Sequence, residues 1–434
     1  MKISLATIFP DLYKPFLHAS LIGRAQENGL ITYDLVNMLN LCSPKERIDG
    51  PTFGHGPGML IRPEVIGRVV ESQEEKSGPA FKIFFSPHGK KLTQPLLKEL
   101  YKKILERGGH IMTIAARYEG IDARAEEVYA DEIVSIGDFV LMGGDLPAMI
   151  LLEGLLRLLP GVIGTEQSVT EESFSGSFVD YPHYTAPVEW KGMKVPDVLR
   201  SGNHAAIAAW RQQKSVNRTI FHHFGWVRSQ ELTNKERKLV YEAIPEHYAA
   251  LMHTDVVVSD GNRVGTTSVT SIDIHDLARS TKTFGIDHYF VVTPLEDQQK
   301  IVGKLLEFWQ EGAGVTYRED RHEALKQVSC VPTLDAVIAK IEEKEKKKPI
   351  IVVTSAAPKV AKEKIITYYD QERVWAHQRP VLILFGTGNG LAQSIMEQAD
   401  YVLLPIEGFS DFNHLSVRSA AAIVLDRWLG IQRK

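Results

Sequence analysis

The stretch Ile133–Pro147, with the sequence IVSIGDFVLMGGDLP, constrains the fold of this chain more than any other segment. Its apolar start, Ile133-Val134, is typical of the end of a strand. Glycines at Gly137 and at Gly143-Gly144 allow positive φ angles and a close approach of the main chain to a flat ligand. The stretch therefore predicts a backbone-lined pocket of the nucleotide-binding kind, although an ordinary tight turn between a strand and a helix fits the same pattern.

A helix is predicted directly after this loop. Pro147 suits a first helical turn, where a missing N–H costs nothing. Apolar residues at helical spacing then continue through Ala148–Leu159, and Pro160-Gly161 ends the run. The loop is thus expected to join a strand to a helix.

Length and composition set broad limits on the class of protein. The chain has 434 residues, of which 44% are apolar and 24% charged, and these values predict a globular protein of two to four domains. The net charge of −4 means that a nucleic-acid partner must be met by a local basic patch. The two cysteines, Cys42 and Cys330, are too few for a disulfide framework or a metal cluster and fit a reducing cytosol.

Targeting and membrane segments are not expected. The apolar run after Met1-Lys2 ends at Pro10, which is too short for a signal peptide. The apolar segment Leu146–Leu159 is interrupted by Glu153 and Arg157 and does not fit a membrane span. We therefore expect a cytoplasmic protein without a membrane partner.

The middle of the chain changes in character twice. Residues 164–186 are polar and rich in Ser, Thr, Glu and Gly, which predicts a flexible linker. Residues 187–249 are expected to form a small helical domain, in which cations alternate with Trp210 and Trp226. This mixture suits contacts with RNA phosphates and bases, while a solvated helix face around a small core is the simpler alternative. The candidate RNA-binding residues are Arg200, Arg211, Lys214 and Arg218.

The second half reads as a further α/β unit that starts near Asp255. Helical segments separate its strand-like runs, which predicts a mainly parallel sheet covered on both faces. One of these strands leads directly into the glycine loop GTGNG, and this pattern alone also suits a dinucleotide site. Asn413 is predicted to cap the last helix, which is expected to end at Gly430. The predicted strands are Val256–Ser259, His288–Val292, Ile350–Thr354, Val381–Phe385 and Tyr401–Leu404.

Several motifs in the first half occur together in one known family. SIGDFVLMGGDLPAM, with ARYEGID and GPGM upstream of it, resembles the bacterial tRNA (guanine-N1)-methyltransferases of the TrmD family over about residues 1–248. That family methylates the guanosine just 3′ of the anticodon and takes the methyl group from S-adenosylmethionine (SAM). The resemblance implies SAM contacts at Phe85, Pro87, Ala116, Tyr118, Glu119, Ser135, Ile136, Gly137, Asp138, Phe139, Val140, Leu141, Gly143, Gly144 and Pro147.

The resemblance also implies the residues that act on the guanosine. N1 of guanine carries a proton, so its methylation needs a base, and a cation near O6 stabilises the negative charge that develops as the proton leaves. The resemblance assigns the base to Glu172, where the family has aspartate, and the cation to Arg157. A helix-surface arginine near a helix C-terminus is the simpler interpretation of Arg157. No metal-ligand cluster is predicted, and the sequence leaves open whether Mg²⁺ assists the base.

The second half resembles a different branch of the same superfamily. Its strand–GTG, strand–proline and asparagine–helix sequence is similar to the SPOUT methyltransferases, which implies SAM contacts at Gly386, Thr387, Gly388, Pro405, Ile406, Asn413 and Leu415. SPOUT domains are trefoil-knotted and usually dimeric. The expected fold is therefore α/β, with two tandem knotted SPOUT domains, 1–163 and 250–434, separated by the linker and the small helical domain. The knotted segments are expected at about 117–159 and 382–429.

These resemblances imply a homodimer that binds tRNA and SAM and does not bind DNA, with pairing of the two unlike halves as the alternative to a homodimer. Departures from the TrmD pattern at His55, His88, Ala116 and Ala186 support an alternative in which the first half only binds SAM and RNA and the second half is the main methyltransferase. A further alternative makes the second half a dimerising or RNA-holding platform. The sequence does not identify the RNA target of the second domain.

Overall fold

The computed structural model describes residues 1–164, 172–258, 263–357 and 360–432. The chain divides into two compact units, Met1–Gly176 and Ser177–Lys434. The predicted linker 164–186 therefore contains the boundary between the units. Part of that linker, including Thr170 and Glu171 beside the predicted base, lies outside the described residues, as does Ser259 at the end of a predicted strand.

The first unit is built on a five-stranded sheet with the order β2-β1-β6-β5-β7. All of its strand pairs are parallel, as the sequence predicts for an α/β protein. A separate antiparallel hairpin pairs β3 with β4. The strands are β1 (Lys2–Thr7), β2 (Thr32–Asn37), β3 (Asp49–Pro51), β4 (Met59–Ile61), β5 (Phe81–Lys91), β6 (His110–Ile114) and β7 (Glu132–Ser135).

Helices cover both faces of this sheet and bury a separate apolar cluster on each face. Burial on both faces is what a parallel sheet requires, and β6 is buried along its whole length. The helix after the glycine loop starts and ends three residues earlier than the sequence predicts. The helices are α1 (Tyr13–His18), α2 (Ser20–Glu27), α3 (Pro63–Ser77), α4 (Gln94–Glu106), α5 (Ala123–Tyr129) and α6 (Asp145–Leu156).

The second unit contains a seven-stranded sheet with the order β14-β13-β10-β17-β15-β18-β16. Its pairs are parallel, while β8–β9 and β11–β12 are short antiparallel pairs. The strands are β8 (Glu189–Trp190), β9 (Met193–Lys194), β10 (His247–Met252), β11 (Val256–Val257), β12 (Val264–Gly265), β13 (His288–Val292), β14 (Val328–Val331), β15 (Ile350–Thr354), β16 (Ile365–Ile366), β17 (Val381–Gly386) and β18 (Tyr401–Leu403).

The predicted strands β13 and β15 are confirmed residue for residue, and β17 and β18 differ from prediction by one residue at their carboxyl ends. The helices of this unit are α7 (His204–Ser229), α8 (Asn234–Ala243), α9 (Ser271–Thr283), α10 (Glu296–Gln310), α11 (Gly314–Tyr317), α12 (Glu319–Leu325), α13 (Leu334–Glu345), α14 (Gln371–Trp375), α15 (Gln393–Gln398) and α16 (Val417–Leu429).

Strand β10 lies in the middle of the second sheet, between β13 and β17. It starts at His247, so it crosses the predicted boundary at residue 250 and precedes the expected start of the unit near Asp255. Every residue of β10 is buried. Its alanine-rich sequence, HYAALM, favours a helix on propensity alone, and its position in the sheet overrides that preference.

Helices α7 and α8 share an apolar cluster with this sheet. Val216, Ile220 and Phe224 from α7 and Val240 from α8 are buried together with β10, β13 and β17. The segment that the sequence analysis interprets as a small helical domain thus contributes to the core of the second unit. Among the described residues, no helix is long and apolar enough to cross a membrane.

His247, the first residue of β10, organises the core beneath α7. Two indole N–H groups donate to its Nε2 atom, from Trp428 at 3.0 Å and from Trp375 at 3.3 Å. Its Nδ1 atom therefore carries the proton and donates to the carbonyl oxygen of Pro245 at 2.6 Å. Burial lowers the pKa of His247 from 6.5 to about 4, since a charged imidazole would lose its hydration and clash with two donors.

Acidification should destabilise the second unit through this histidine. The unfolded chain binds a proton near pH 6.5 that the folded chain rejects until about pH 4. Stability that is present above pH 6.5 is therefore lost as the pH falls, by about 2 kcal/mol at pH 5 for one such histidine. All six tryptophans lie at position 190 or later, so tryptophan fluorescence in urea follows unfolding of the second unit.

A matched pair of variants separates His247 from other titrating groups. His247→Gln keeps an acceptor without the titration, and it should lose less stability than the unaltered protein between pH 7 and pH 5. His253 and His288, whose pKa values burial also lowers to about 4, retain their share of the pH dependence. The exposed His204 provides the control, and an unaltered pH dependence in His247→Gln would contradict the assignment.

Candidate active sites

The candidate residues of the first unit gather at the carboxyl ends of β5, β6 and β7. These three strands are parallel neighbours, so the loops that follow them meet at one edge of the sheet. Ala116, Tyr118 and Glu119 follow β6, and Ser135–Leu141 follow β7. Within β5 the pairing register shifts between Phe85 and Lys90, which places Phe85 and Pro87 at an irregularity of the same edge.

Gly143 and Gly144 are required because the main chain of their loop contacts the main chain at Ala116. The N–H of Gly144 donates to the carbonyl oxygen of Ala116 at 2.8 Å. A Cβ atom on Gly144 would lie 2.9 Å from the Ala116 nitrogen, and one on Gly143 would lie 2.9 Å from the Ala116 oxygen. The predicted positive φ is wrong for this pair and occurs at Gly137 instead. The glycines thus let the loop after β7 pack directly on the loop after β6.

The GPGM motif joins the same group of loops. The N–H of Glu119 donates to the carbonyl oxygen of Met59 at 3.0 Å, and a Cβ atom on Gly58 would overlap the Glu119 side chain. The motif is therefore placed beside ARYEGID, where the resemblance puts it. The methyl group of Ala116, where the family has glycine, packs in the apolar cluster with Ile114 and Ile121, away from the loop surface.

Arg157 and Glu172, the two predicted catalytic residues, contact each other. Arg157 is the C-cap residue of α6, and its Nη2 atom forms an ion pair with Oε1 of Glu172. Nearly half of the arginine side chain and a quarter of the glutamate side chain remain exposed, at 47% and 26%. The longer glutamate, where the family has aspartate, therefore reaches the guanidinium directly and leaves both groups open to a ligand.

A buried carboxylate that the sequence analysis did not identify supports this site. Asp145, the first residue of α6, is 1% exposed and receives hydrogen bonds from Thr7 at 2.6 Å and from Tyr13 at 3.0 Å. Arg117 approaches its other oxygen with Nε at 2.7 Å and Nη2 at 2.6 Å. Burial and the charge of Asp145 raise the pKa of Tyr13 well above its ordinary value, which keeps the phenol a donor.

The Asp145 cluster fixes the loops against each other. Asp145 follows the glycine pair directly, and Arg117 follows Ala116, so the ion pair joins the same two loops as the Gly144–Ala116 hydrogen bond. A carboxylate at a helix N-terminus also interacts favourably with the helix dipole. An acidic residue at the start of a helix is a sequence signal for the helix N-terminus, and it does not indicate burial.

Removal of this carboxylate should destabilise the first unit. Asp145→Ala leaves the guanidinium of Arg117, whose side chain is 21% exposed, without its partner, and breaking a buried pair typically costs about 3–5 kcal/mol. Hydrogen exchange of peptides from residues 1–164 measures the effect within the first unit. The control Asp11→Ala removes a surface carboxylate that is 86% exposed, and it should leave exchange unchanged. Equal protection in both variants would show that the buried pair does not stabilise the fold.

The second unit contains a cavity of about 1150 Å³ at the carboxyl ends of its strands. Its lining includes Thr354 at the end of β15, Leu404 after β18 and the loop after β17. Of the predicted SAM contacts, all except Pro405 line this cavity, namely Gly386, Thr387, Gly388, Ile406, Asn413 and Leu415. The structure therefore brings together six predicted residues from three separate segments of the sequence.

The GTG loop is held rigidly on the floor of this cavity. The Thr387 hydroxyl donates to the Met252 carbonyl oxygen at 2.9 Å and lies 2.5 Å from the Thr267 hydroxyl. Gly388 has a φ of +59°, and a Cβ atom there would lie 2.7 Å from the Val257 oxygen. Only glycine combines this backbone angle with so close an approach. The volume and the backbone lining fit a ligand of nucleoside size.

The predicted cap of the last helix is wrong by three residues. Ser416 caps α16, since its hydroxyl accepts a hydrogen bond from the Ser419 N–H at 3.2 Å. Asn413 instead lines the cavity with His414 and Leu415. Asparagine is a strong signal for an N-cap, and the serine three residues later carries the same signal. The predicted end of this helix at Gly430 is confirmed.

The predicted RNA-binding cations lie on α7 and just before it. Arg211 stacks over Tyr181 at 4.8 Å, and Lys214 lies 5.9 Å from the Trp210 ring. Arg218 donates to the carbonyl oxygen of Asp180 at 3.3 Å. Arg200, in a short 3₁₀ helix upstream, pairs with Asp197 at 3.6 Å. The three cations of α7, at spacings of three and four residues, therefore share one side of the helix.

No group of three or more His, Cys, Asp or Glu side chains that could hold a metal ion occurs in the ranges that the structure describes. The histidine that replaces a family glutamine, His88, lies 2.6 Å from the Ser86 hydroxyl and 3.6 Å from Glu126. Burial raises the pKa of Glu126, and the neighbouring His88 opposes that rise. Whether a metal ion assists the base stays an untested question.

Comparison with known families separates the chain into two matched regions. Residues 1–228 match the family model described as tRNA (Guanine-1)-methyltransferase TrmD. Residues 246–430 match the model described as SAM-dependent RNA methyltransferase. The second match starts one residue before β10, in agreement with the position of that strand in the sheet.

Curated relatives of two lengths match the chain. The tRNA (guanine-N(1)-)-methyltransferases of Oleidesulfovibrio alaskensis and Nitratidesulfovibrio vulgaris are each 38% identical, over 436 and 438 residues, and cover 99% of both chains. The enzyme of the same name from Neisseria meningitidis is 40% identical over 242 residues, which are 55% of this chain and 95% of the relative. The chain therefore belongs to the tRNA (guanine-N1)-methyltransferase family and carries a SAM-dependent RNA methyltransferase domain after the TrmD part.

Proposed function

We propose that this protein transfers a methyl group from SAM to N1 of a guanosine in tRNA, and that the target is the guanosine 3′ of the anticodon where it follows another guanosine. The contact between Arg157 and Glu172 carries this proposal. It puts a cation and a carboxylate side by side at the carboxyl end of α6, the helix that begins directly after the loop carrying the glycine motif. The family assignment supplies the reaction class, and the site residues are our assignment.

We assign Glu172 and Arg157 to different atoms of the guanine ring. SAM supplies a methyl group made electrophilic by its sulfonium sulfur, and the carbon–sulfur bond breaks as the carbon–N1 bond forms. Glu172 accepts the N1 proton, which would otherwise leave a positive charge on the ring. Arg157 faces O6 and offsets the negative charge that develops there. Their ion pair holds both groups in position before the guanosine arrives, and the guanosine must enter between them.

The SAM site that we assign to the first unit consists mainly of backbone. Ser135–Leu141 and Gly143-Gly144 form one wall, and Ala116, Tyr118 and Glu119 form the other. Tyr118 has a φ of +60° and is half exposed, so its ring is available for stacking. Phe85, Pro87 and Pro147 complete the assignment. The Asp145–Arg117 pair keeps the two walls at a fixed separation, which preorganises them for the cofactor.

The alternative in which the first half only binds SAM and RNA is not favoured. The relatives that cover the whole chain and those that cover only the first part carry the same guanine-N1 methyltransferase name. The departures from the family pattern also fit the structure, since Ala116 packs in the core and Glu172 reaches Arg157. The platform alternative for the second half has less support than a SAM site, because the GTG loop lines a large cavity.

Loss of the base should abolish turnover while leaving cofactor affinity intact. Glu172→Gln keeps a hydrogen-bond acceptor for Arg157 but cannot hold the N1 proton, so kcat should fall by ~10²–10⁴-fold. Methylation of a tRNA transcript with two successive guanosines at the anticodon, measured as 1-methylguanosine, tests this.

The neighbouring Glu153→Gln, on the exposed side of α6, serves as the matched control and should retain full activity. Glu172→Asp should remain active because it restores the residue of the family pattern. Full activity in Glu172→Gln would show that another residue is the base. A fall in SAM affinity that accounts for the whole loss would show a binding role instead.

We further propose that each unit binds one SAM, the second through Gly386, Thr387, Gly388, Pro405, Ile406, Asn413 and Leu415. Isothermal titration of the full chain should then give two SAM per chain. Gly388→Trp, which places a large side chain at a position with a positive φ in the cavity lining, should reduce this to one. Gly303→Trp, on the exposed side of α10 and outside the cavity lining, gives a control of the same size, since a Cβ there meets no atom within 4 Å. Two equivalents in Gly388→Trp would refute the second site.

The remaining features of the fold are part of the same proposal. We assign a SPOUT knot to each unit, supported in the first by the passage of the loop after β7 across to the loop after β6. We assign a homodimer on the exposed apolar side chains of the first unit between 139 and 150, namely Phe139, Val140, Met142, Leu146 and Ile150. We place the enzyme in the cytoplasm, where its tRNA substrate is found.

A further inference from the structure

We propose that the second methyltransferase unit acts on tRNA, and that it takes this substrate from the cationic face of α7, defined as Arg211, Lys214 and Arg218. This inference rests on the proposed function, because it takes tRNA as the RNA that the protein binds. It goes further by naming the substrate class of the second cavity.

The C-terminal half of α7 belongs to the core of the second unit. Val216, Ile220, Phe224 and Val227 are buried there with the apolar residues of the large sheet. The Phe224 ring packs edge-on against Trp375, with centroids 4.9 Å apart. An apolar stripe of this kind fixes a helix on its neighbour. The helix therefore moves with the sheet that carries the second cavity.

A buried arginine joins α7 to a wall of the cavity. Arg228 is 3% exposed, and it donates to the carbonyl oxygens of Gly430 at 2.6 Å and of Asp426 at 2.9 Å. These carbonyls lie at the C-terminal end of α16, where a cation is favoured by the helix dipole. The opposite end of α16 lines the cavity through Val417, Ala420 and Val424. Arg228 thus connects the C-terminal end of α7 to the C-terminal end of α16.

The N-terminal half of α7 differs in chemistry from the half in the core. Among the residues before Val216, none is buried, and two of the three cations, Arg211 and Lys214, stand on this half, with Arg218 one turn beyond them. Tyr181 lies against Arg211, and Tyr184 packs near Trp210 with centroids 6.2 Å apart. Guanidinium and ammonium groups beside aromatic rings suit RNA phosphates and unstacked bases. A purely structural helix has no need for such a face.

These observations place the RNA-contacting surface and the second cavity on one structural unit. Helix α7 has 26 residues and is kinked at His223, so it spans at most ~39 Å, and an RNA bound at its exposed end lies within the dimensions of one tRNA from the sheet. A tRNA held there is presented to the second cavity at a high effective concentration. A separate RNA substrate would need its own cationic surface elsewhere on the unit.

The test isolates the second activity in the full chain. Arg157→Ala silences the first site, and radiolabelled SAM is supplied with bulk tRNA from cells that lack this gene. We expect label in tRNA, in a nucleoside other than 1-methylguanosine. The label should disappear when Gly388→Trp is added. It should fall by about tenfold or more when Arg211→Ala and Lys214→Ala are added together, since both remove phosphate contacts.

Two controls exclude general damage. Lys300→Ala with Lys304→Ala removes two exposed cations from α10, and the label should stay unchanged. SAM titration of the Arg211→Ala, Lys214→Ala variant should still give two sites, which shows that the cavity is intact. A steeper loss at higher salt for the unaltered chain than for this variant would further assign the contacts to phosphates.

Each contrary result has a defined meaning. Label in ribosomal RNA with none in tRNA, or no label in any RNA fraction, would overturn the inference. Label in tRNA that is insensitive to Arg211 and Lys214 would refute the role of α7. Label that remains in 1-methylguanosine would show that Arg157 is dispensable. That result counts against the role assigned to Arg157 in the first site and is separated from the inference by the identity of the nucleoside.

Discussion

The buried ion pair between Asp145 and Arg117 is the contact on which the first site depends. A carboxylate removed from water is costly unless it is paired and hydrogen-bonded, and here Thr7, Tyr13 and Arg117 supply the partners. The pair lies where the loops after β6 and β7 meet, so the charges can be satisfied only when both loops are in place. A site lined by backbone atoms thus acquires its rigidity from a polar cluster behind it.

In the second unit, uncharged polar groups hold the core and the glycine loop in place. His247 accepts hydrogen bonds from two indoles and joins β10, α14 and α16 without any charge. Thr387 and Thr267 then hold the GTG loop to the end of β10. Both units therefore fix a glycine loop through polar contacts to neighbouring elements. In the first unit these contacts break when a charge is removed, whereas in the second unit the hydrogen bonds of His247 behind the sheet break when a proton is added.

Much of this arrangement could be predicted from the sequence because it is local. The strands β13 and β15 are continuous apolar runs, and the glycine loops follow strands, so the parallel sheets and the glycine loops could be located by pattern. The SAM contacts assigned to these loops, and the choice of Arg157 and Glu172, came from family resemblances. The contact between Arg157 and Glu172 was not predicted, since nothing in the spacing of the two residues indicates it. The N-cap of the last helix was predicted at Asn413 because two residues that suit this position stand three positions apart. Only the helix geometry selects Ser416.

The features that the sequence analysis missed depend on tertiary context. Asp145 gives no sign of burial until Thr7, Tyr13 and Arg117 are brought around it from three other segments. Strand β10 has a composition that suits a helix, and its role is decided by the two strands that flank it. The predicted boundary at residue 250 falls inside β10, because composition does not mark where the central strand of the sheet begins.

The shared core of α7 and the large sheet has a consequence for how this gene can change. A deletion that removed the second domain near residue 246 would leave the shorter form that matches the relative from Neisseria meningitidis in length. In this chain the same deletion would also expose four apolar residues of α7 to water, namely Val216, Ile220, Phe224 and Val227. It would leave Arg228 without its carbonyl partners. A single deletion is therefore a poor route back to the shorter form. The apolar side of one helix makes the two domains depend on each other for folding.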